Sequence, residues 1–263
     1  SLHDALPIWL FRRVTALDIA PGNNDVPAAL TTLPGQNSGD GSTTIPRFAV
    51  LLNNYDLAED MLAKLGMADL GSDGHFVPGT ERFDCYDDGN TLGYPPSSEI
   101  FASQDTLNGY HMVFFPCICN TLGTDFVTSH TDMLRSWVGA GGKLYASCWA
   151  GQWAEFPFPE YIEFEGDDAT HVVGDVGVYD TTGRIEDPVM RQWLSVVAPT
   201  ENLDAFPFHG AYVKMDQTNV VDDGHGLPEN GGAVTPITWA TDVGQYPQSP
   251  LTVTYDWGCG RVF

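Results

Sequence analysis

From about residue 46 onward, apolar positions follow two alternating rhythms. The run RFAVLLNN (47–54) is almost continuously apolar between polar flanks, the pattern of a strand buried on both faces. Leu57, Met61 and Leu65, with Ala58 and Leu62 beside them, then repeat at helical spacing, and Gly66 is placed to end that helix. Short apolar runs return at RFDCYDD (82–88), YHMVFFPC (110–117) and KLYASC (143–148), with Pro116 closing the second of these three. Ahead of the last run, Thr124 or Asp125 can cap a helix whose stripe is Phe126, Val127, His130, Leu134, Trp137 and Val138, and Gly141-Gly142 ends it. Asp187-Pro188 opens a further helix carrying Val189, Met190, Trp193, Leu194 and Val197. After Pro199 the pieces GAYVKMD, AVTPITWA and PLTVTYDWGCGRVF read as strands.

Strands interleaved with helices of this length imply βαβ units with right-handed crossovers. The expected fold is α/β: a doubly wound, mostly parallel sheet with helices on both faces and extra β segments toward the C-terminus. That domain is read as 46–263. Residues 9–45 are rich in Pro, Gly, Asn, Ser and Thr, the chemistry of a linker or the tail of an upstream domain lost from the chain. The opening SLHDALPI matches a translated DNA-sequencing adapter, so residues 1–8 are set aside from fold reasoning. At the other end, Phe263 falls within a strand-like piece, and the domain is read as truncated there.

Composition narrows the partners. Against 35 acidic residues stand 11 Lys and Arg, a formal charge of -24 that repels phosphate backbones and anionic lipid surfaces. Nucleic acid is therefore excluded as a partner. No run approaches the roughly 20 apolar residues of a membrane helix, so no membrane insertion is expected. The acidity and the Asp-Gly-Asn loops suit a secreted or cell-envelope protein, with a cytoplasmic one as the alternative. No cofactor is expected, although Asp216, Asn219, Asp222 and Asp223 in DQTNVVDDGHG offer oxygen ligands for calcium without matching the EF-hand spacing. In CYDDGN, Asp88-Gly89 reads as a turn.

The order GYHMVFFPC, then an amphipathic helix ending in WVGAGGKLYASCWAG, then PLTVTYDWGCGRVF, resembles the class I glutamine amidotransferase-like superfamily, in particular its ThuA-like (trehalose-utilisation) branch. The resemblance covers about Arg47 to Phe263 and implies a flavodoxin-like layout. It also implies a nucleophile elbow at Cys148. The superfamily's G-x-C-x-G is replaced by Ala146-Ser147-Cys148-Trp149-Ala150, and its His-x-Glu partner would fall beyond Phe263.

Cys148 has the best claim to chemistry, because a cysteine at a strand-to-helix turn meets backbone N–H groups that favour thiolate and can hold an oxyanion. Open α/β sheets also bind ligands outside the carboxyl ends of their strands. No base stands at a diagnostic spacing: His111 lies within a strand, His130 on the helix stripe, and Glu155 seven residues downstream is the nearest carboxylate candidate. Cys117 and Cys119 end the neighbouring strand, close enough for a disulfide to Cys148, which would remove the nucleophile. A small buried residue is the third reading of Cys148, and Cys85 and Cys259 are read as core. Candidate ligand contacts at the strand ends are Asn53, Asn54, Cys117, Trp149 and Trp153. Trp149 and Trp153 belong with Phe156 and Phe158 to an aromatic group that suits either a sugar face or the core. His171, His209 and His225 read as isolated loop residues. Two functions follow: a non-catalytic module binding a small molecule, carbohydrate in particular, or a thiol hydrolase or amidotransferase with Cys148 as nucleophile.

Overall fold

The structure, a computed structural model, describes residues 11–14, 21–23, 25–27, 32, 34–89, 92–117, 122–166, 173–222, 224–226 and 232–263. The adapter-like residues 1–8, together with Cys119, His171 and Asp223, lie outside these. In chain order the strands used below are β1 (Phe48–Leu51), β2 (Asp84–Tyr86), β3 (Met112–Phe115), β4 (Lys143–Ala146), β5 (Ile162–Phe164), β6 (Asp175–Ile185), β7 (Phe206–Val213), β8 (Met215–Thr218), β9 (Ile237–Asp242), β10 (Pro250–Trp257) and β11 (Gly260–Val262). The helices are α1 (Ala58–Leu62), α2 (Gln104–Asn108), α3 (Gly123–Ser129), α4 (Thr131–Gly139), α5 (Gln152–Glu155) and α6 (Pro188–Val197).

Nine strands form one sheet in the order β2-β1-β3-β4-β11-β10-β9-β6-β7. The first four pairings are parallel and the last four antiparallel, so seven of the nine strands run in one direction. Of the late strand-like pieces, β11 completes the parallel half and β7, β9 and β10 extend the sheet as an antiparallel half with β6. In the parallel half Val50 lies between Cys85 and Phe114, and Leu144 between Val113 and Val262. The runs seen in the sequence are longer than the strands because their polar ends already belong to the loops that build the strand-end surface.

Alternation along β1 and β3 divides the core. Phe48, Val50 and Phe114 face Ala58, Leu62, Ala63 and Met67 on one side of the sheet. Ala49, Leu51, Val113 and Phe115 face Leu107, Leu134, Trp137 and Trp153 on the other. Helices therefore cover both faces. In the first helix the sequence period holds, but Met61 and Leu65 are exposed, and the buried face is the neighbouring Ala58 and Leu62 row. Gly66, at φ +85°, ends it.

The helix expected from Thr124 to Gly141 is two, broken at His130. There the ring stacks on Phe126 at 4.1 Å, and Nδ1 meets the Phe126 carbonyl oxygen at 2.7 Å. α4 then packs tightly on the sheet: a Cβ at Gly142 would stand 2.3 Å from the Trp137 ring, and one at Gly260 2.0 Å from the Val138 carbonyl oxygen. Trp137 Nε1 donates to the Tyr110 carbonyl at 2.9 Å, pinning the helix to the entry of β3. Within the segment read as linker, Arg12–Arg13 pairs antiparallel with Thr43–Thr44, and Phe11 packs on Phe48.

In the antiparallel half, β6 and β7 pair antiparallel, connected through α6, and their register shifts on both sides of Tyr179. α6 follows β6 and rests on it through Leu194 and the partly buried Met190, against Ile185 and Ala240. The rest of the expected stripe is not buried: Val189, Trp193 and Val197 are exposed. A second, two-stranded sheet pairs β5 with β8. Among the described residues no helix is long and apolar enough to cross a membrane.

Candidate functional site

The parallel strands β1, β3, β4 and β11 end on one edge, and the segments after them carry the polar chemistry. Asn53 builds the turn after β1: its Oδ1 accepts from Tyr55 N (2.6 Å) and Asp56 N (3.0 Å). That turn presents the Asp56 carboxylate across the ends of β3 and β4. It accepts from Cys117 N at 3.2 Å and from the Ser147 hydroxyl in a short hydrogen bond. Three strand ends are tied together by one side chain.

Cys148 follows Ser147 with φ +53°, one of only two non-glycine residues with positive φ among those described. A side chain there costs about 1 kcal/mol or more, a strain found at nucleophile elbows and other functional turns. The turn at Cys148 is sharp although its flanking residues Ala146 and Ala150 are not glycines. Cys148–Gly151 winds as a 3-10 turn into α5.

The thiol itself is poorly disposed to ionise. Cys148 hydrogen-bonds Cys117, is partly desolvated and lies near the Asp56 carboxylate, and these three influences push its pKa far above the ordinary thiol value. No disulfide joins Cys117 to Cys148, so the bridge that the sequence allowed is replaced by a thiol–thiol contact.

Over this edge lies a cavity of about 570 Å³. Its floor and near wall are Asp56, Tyr145, Ser147, Cys148 and Phe263, and its far wall is the antiparallel half, including Tyr179, His209, Tyr212 and Trp239. A volume of this order accommodates a small organic ligand. Cys148 Sγ is 3.9 Å from the carbonyl of Gly210, which ties the elbow to β7. Beside Gly210, His209 Nδ1 is 3.5 Å from Asp180 Oδ2, and Gly210 N donates to Asp180 Oδ1 at 2.9 Å. The Gly210 N–H first, and His209 second, hold the Asp180 carboxyl below its usual range. Burial, with Asp242 adding to it, raises the Tyr179 hydroxyl to about 12, so it remains a hydrogen-bond donor at neutral pH.

The proposed contacts fall in different places. Cys148 lines the cavity. Cys117 lies behind it, buried. Trp149 stacks on the cavity residue Tyr212 at 4.6 Å and fixes the plane of that ring. Trp153 is 1% exposed, stacked 4.1 Å from Phe115 within the core, and Phe158 is buried likewise. Glu155 is buried near Tyr255, outside the cavity lining. Asn53 and Asn54 line a second cavity at the ends of β1 and β2. Of the calcium candidates, Asp216 is bound to Lys214 at 2.7 Å, and Lys214 also pairs with Glu165. Among the described residues no group of three or more His, Cys, Asp and Glu is arranged to hold a metal ion.

Asp56, Ser147, Tyr179, Asp180, His209, Tyr212 and Trp239 went unmarked as site residues in the sequence. Only Asp56 and Ser147 carried a signal, each lying just past an apolar run that becomes a parallel strand. His209 and Asp180 meet across an antiparallel strand pair with register shifts, which spacing does not reveal. Compared with protein-family models, with curated proteins and with solved structures, the chain shows no match.

Proposed function

We propose that the protein is a non-catalytic binding module of the glutamine amidotransferase-like, ThuA-like type, taking a small neutral, hydroxyl-rich ligand such as a carbohydrate in the cavity above β4 and β11. The observation that carries this reading is the placement of Cys148 beside Cys117 and Asp56, neighbours that disfavour its ionisation, in the lining of a cavity rimmed by aromatic rings. Flat rings such as Tyr212 and Trp239 suit a sugar face, and Asp56, Ser147 and the Tyr179 hydroxyl suit its hydroxyls. The parallel-half order β2-β1-β3-β4-β11 supports the flavodoxin-like layout, whose ligands bind at these strand ends. The charge of -24 supports a neutral or cationic ligand over an anionic one, and a secreted or envelope setting. Calorimetry with a panel of neutral mono- and disaccharides tests it: saturable binding that Trp239→Ala and Tyr212→Ala each weaken is expected, and binding untouched by both changes contradicts the assignment.

A second reading, a thiol hydrolase, is favoured by the φ of Cys148 together with the His209–Asp180 pair lining or adjoining the same cavity. In it the base takes the thiol proton, and the elbow N–H groups receive the oxyanion. An acyl-enzyme burst with p-nitrophenyl acetate, lost in both Cys148→Ser and His209→Ala, would establish it in place of the binding reading.

A further inference from the structure

The second cavity, about 460 Å³, lies at the carboxyl ends of β1 and β2 and has a different chemistry from the first. Four carboxyl groups line it: Glu59 and Asp60 from α1, and Asp87 and Asp88 from the loop after β2. Three of them are engaged by the protein. Asp60 accepts from Phe76 N (2.7 Å) and meets His75 Nδ1 (2.6 Å). Asp87 accepts from Gly89 N (2.8 Å) and Leu92 N (3.1 Å), and Asp88 from the Ser97 amide (2.7 Å) and hydroxyl (2.5 Å). Glu59 differs. It is 4% exposed, and its Oε2 is buried with no hydrogen-bond partner among the described residues.

A buried carboxylate oxygen without a donor is costly, and folded proteins retain few of them. Among the described residues no Lys or Arg lines this cavity, and His75 is its one basic side chain. The remaining lining is apolar and aromatic, including Leu51, Leu57, Phe76 and Tyr86. A cavity lined by four carboxyl groups and an apolar wall is complementary to an organic cation, whose ammonium faces the carboxyl groups and whose carbon chain covers the wall.

We propose that this cavity is a binding site for a small aliphatic amine, with the Glu59 carboxylate as the counter-charge. Burial, with Asp60 adding to it, raises Glu59 to about 7, so the group can take up or release a proton near neutrality. An ammonium ligand therefore selects its ionised form. Asp60, Asp87, Asp88, His75 and Tyr86 face the same space.

The test is calorimetric titration of the full chain with hexylammonium and with its neutral isostere 1-hexanol, at about 0.15 M salt to screen the acidic surface. The wild type is expected to bind hexylammonium at least about tenfold more tightly than hexanol, a difference of about 1.4 kcal/mol. Glu59→Gln, which keeps the shape and removes the charge, should erase that preference. Should Glu59→Gln fail to fold, Leu92→Lys, at an exposed lining position, should weaken hexylammonium selectively by setting a cation at the cavity. No saturable hexylammonium binding, equal binding of the alcohol, or a preference that survives Glu59→Gln or Leu92→Lys overturns the proposal.

Discussion

Cys148 stands in a backbone conformation that favours exposure of a nucleophile and in an electrostatic setting that disfavours its ionisation. The setting decides its state near neutral pH, because a thiol must lose its proton to attack. Removing the first influence by Cys117→Ala should bring the Cys148 pKa down and speed its alkylation, as followed by peptide mass spectrometry. An unchanged rate would show that the thiol–thiol contact does not govern it. Glu59 makes a separate prediction at the same scale. Its folded pKa of about 7 exceeds the 4.5 of the ordinary group, so the folded state is penalised as pH rises from about 4.5 to about 7 and by a constant amount above that. The full penalty is at most ~3 kcal/mol, less whatever solvent screening remains. Urea unfolding should accordingly find Glu59→Gln gaining stability relative to wild type by about 1–3 kcal/mol between pH 4.5 and pH 8. An equal difference at both pH values would refute it. Cys148 was legible because an apolar run stops at a turn there. The groups that set its state come from Asp56 and Cys117, 92 and 31 residues earlier in the numbering, and only the parallel register of β1, β3 and β4 brings them together.

Among the elements, those of the parallel half follow the hydrophobic pattern closely, since a strand covered on both faces must be apolar throughout. α6 shows where that logic stops. Its start was legible in Asp187-Pro188, and Asp187 does cap it, accepting from Met190 N at 2.7 Å. Which face is buried was not legible, because that depends on where the antiparallel half offers apolar surface. Val189, Trp193, Val196 and Val197 stay exposed while Leu194 alone is buried. Asp187→Ala should therefore cost about 1 kcal/mol in thermal or urea unfolding, through the lost cap. Trp193→Gln, at 59% exposure, should change stability by no more than about 0.5 kcal/mol. A large loss at Trp193 and none at Asp187 would reverse this account of the helix. The break at His130 has the same origin: a continuous apolar stripe marks a helical face but cannot show a bend.

At the scale of the molecule, the sheet places the antiparallel half as a wall over the strand ends of the parallel half, and the larger cavity is the space between them. That relation depends on α4 lying close to the sheet, which Gly142 and Gly260 permit. Gly142→Ala should drive a methyl group into the Trp137 ring and cost on the order of 1–3 kcal/mol or more in unfolding. The sequence conveyed the layers through its alternation of strand and helix, yet the wall was hidden. Late strand-like pieces do not announce which sheet edge they join or in what direction. With Cys148 facing that wall in a setting that disfavours its ionisation, the binding reading and the hydrolase reading separate on one quantity. The pH dependence of Cys148 alkylation by iodoacetamide, resolved from the other cysteines by peptide mass spectrometry, measures it. A rate that stays below that of a free thiol through pH 9 is the result expected for a binding wall; a rate that titrates with a midpoint below 8 would mark an activated nucleophile and contradict it.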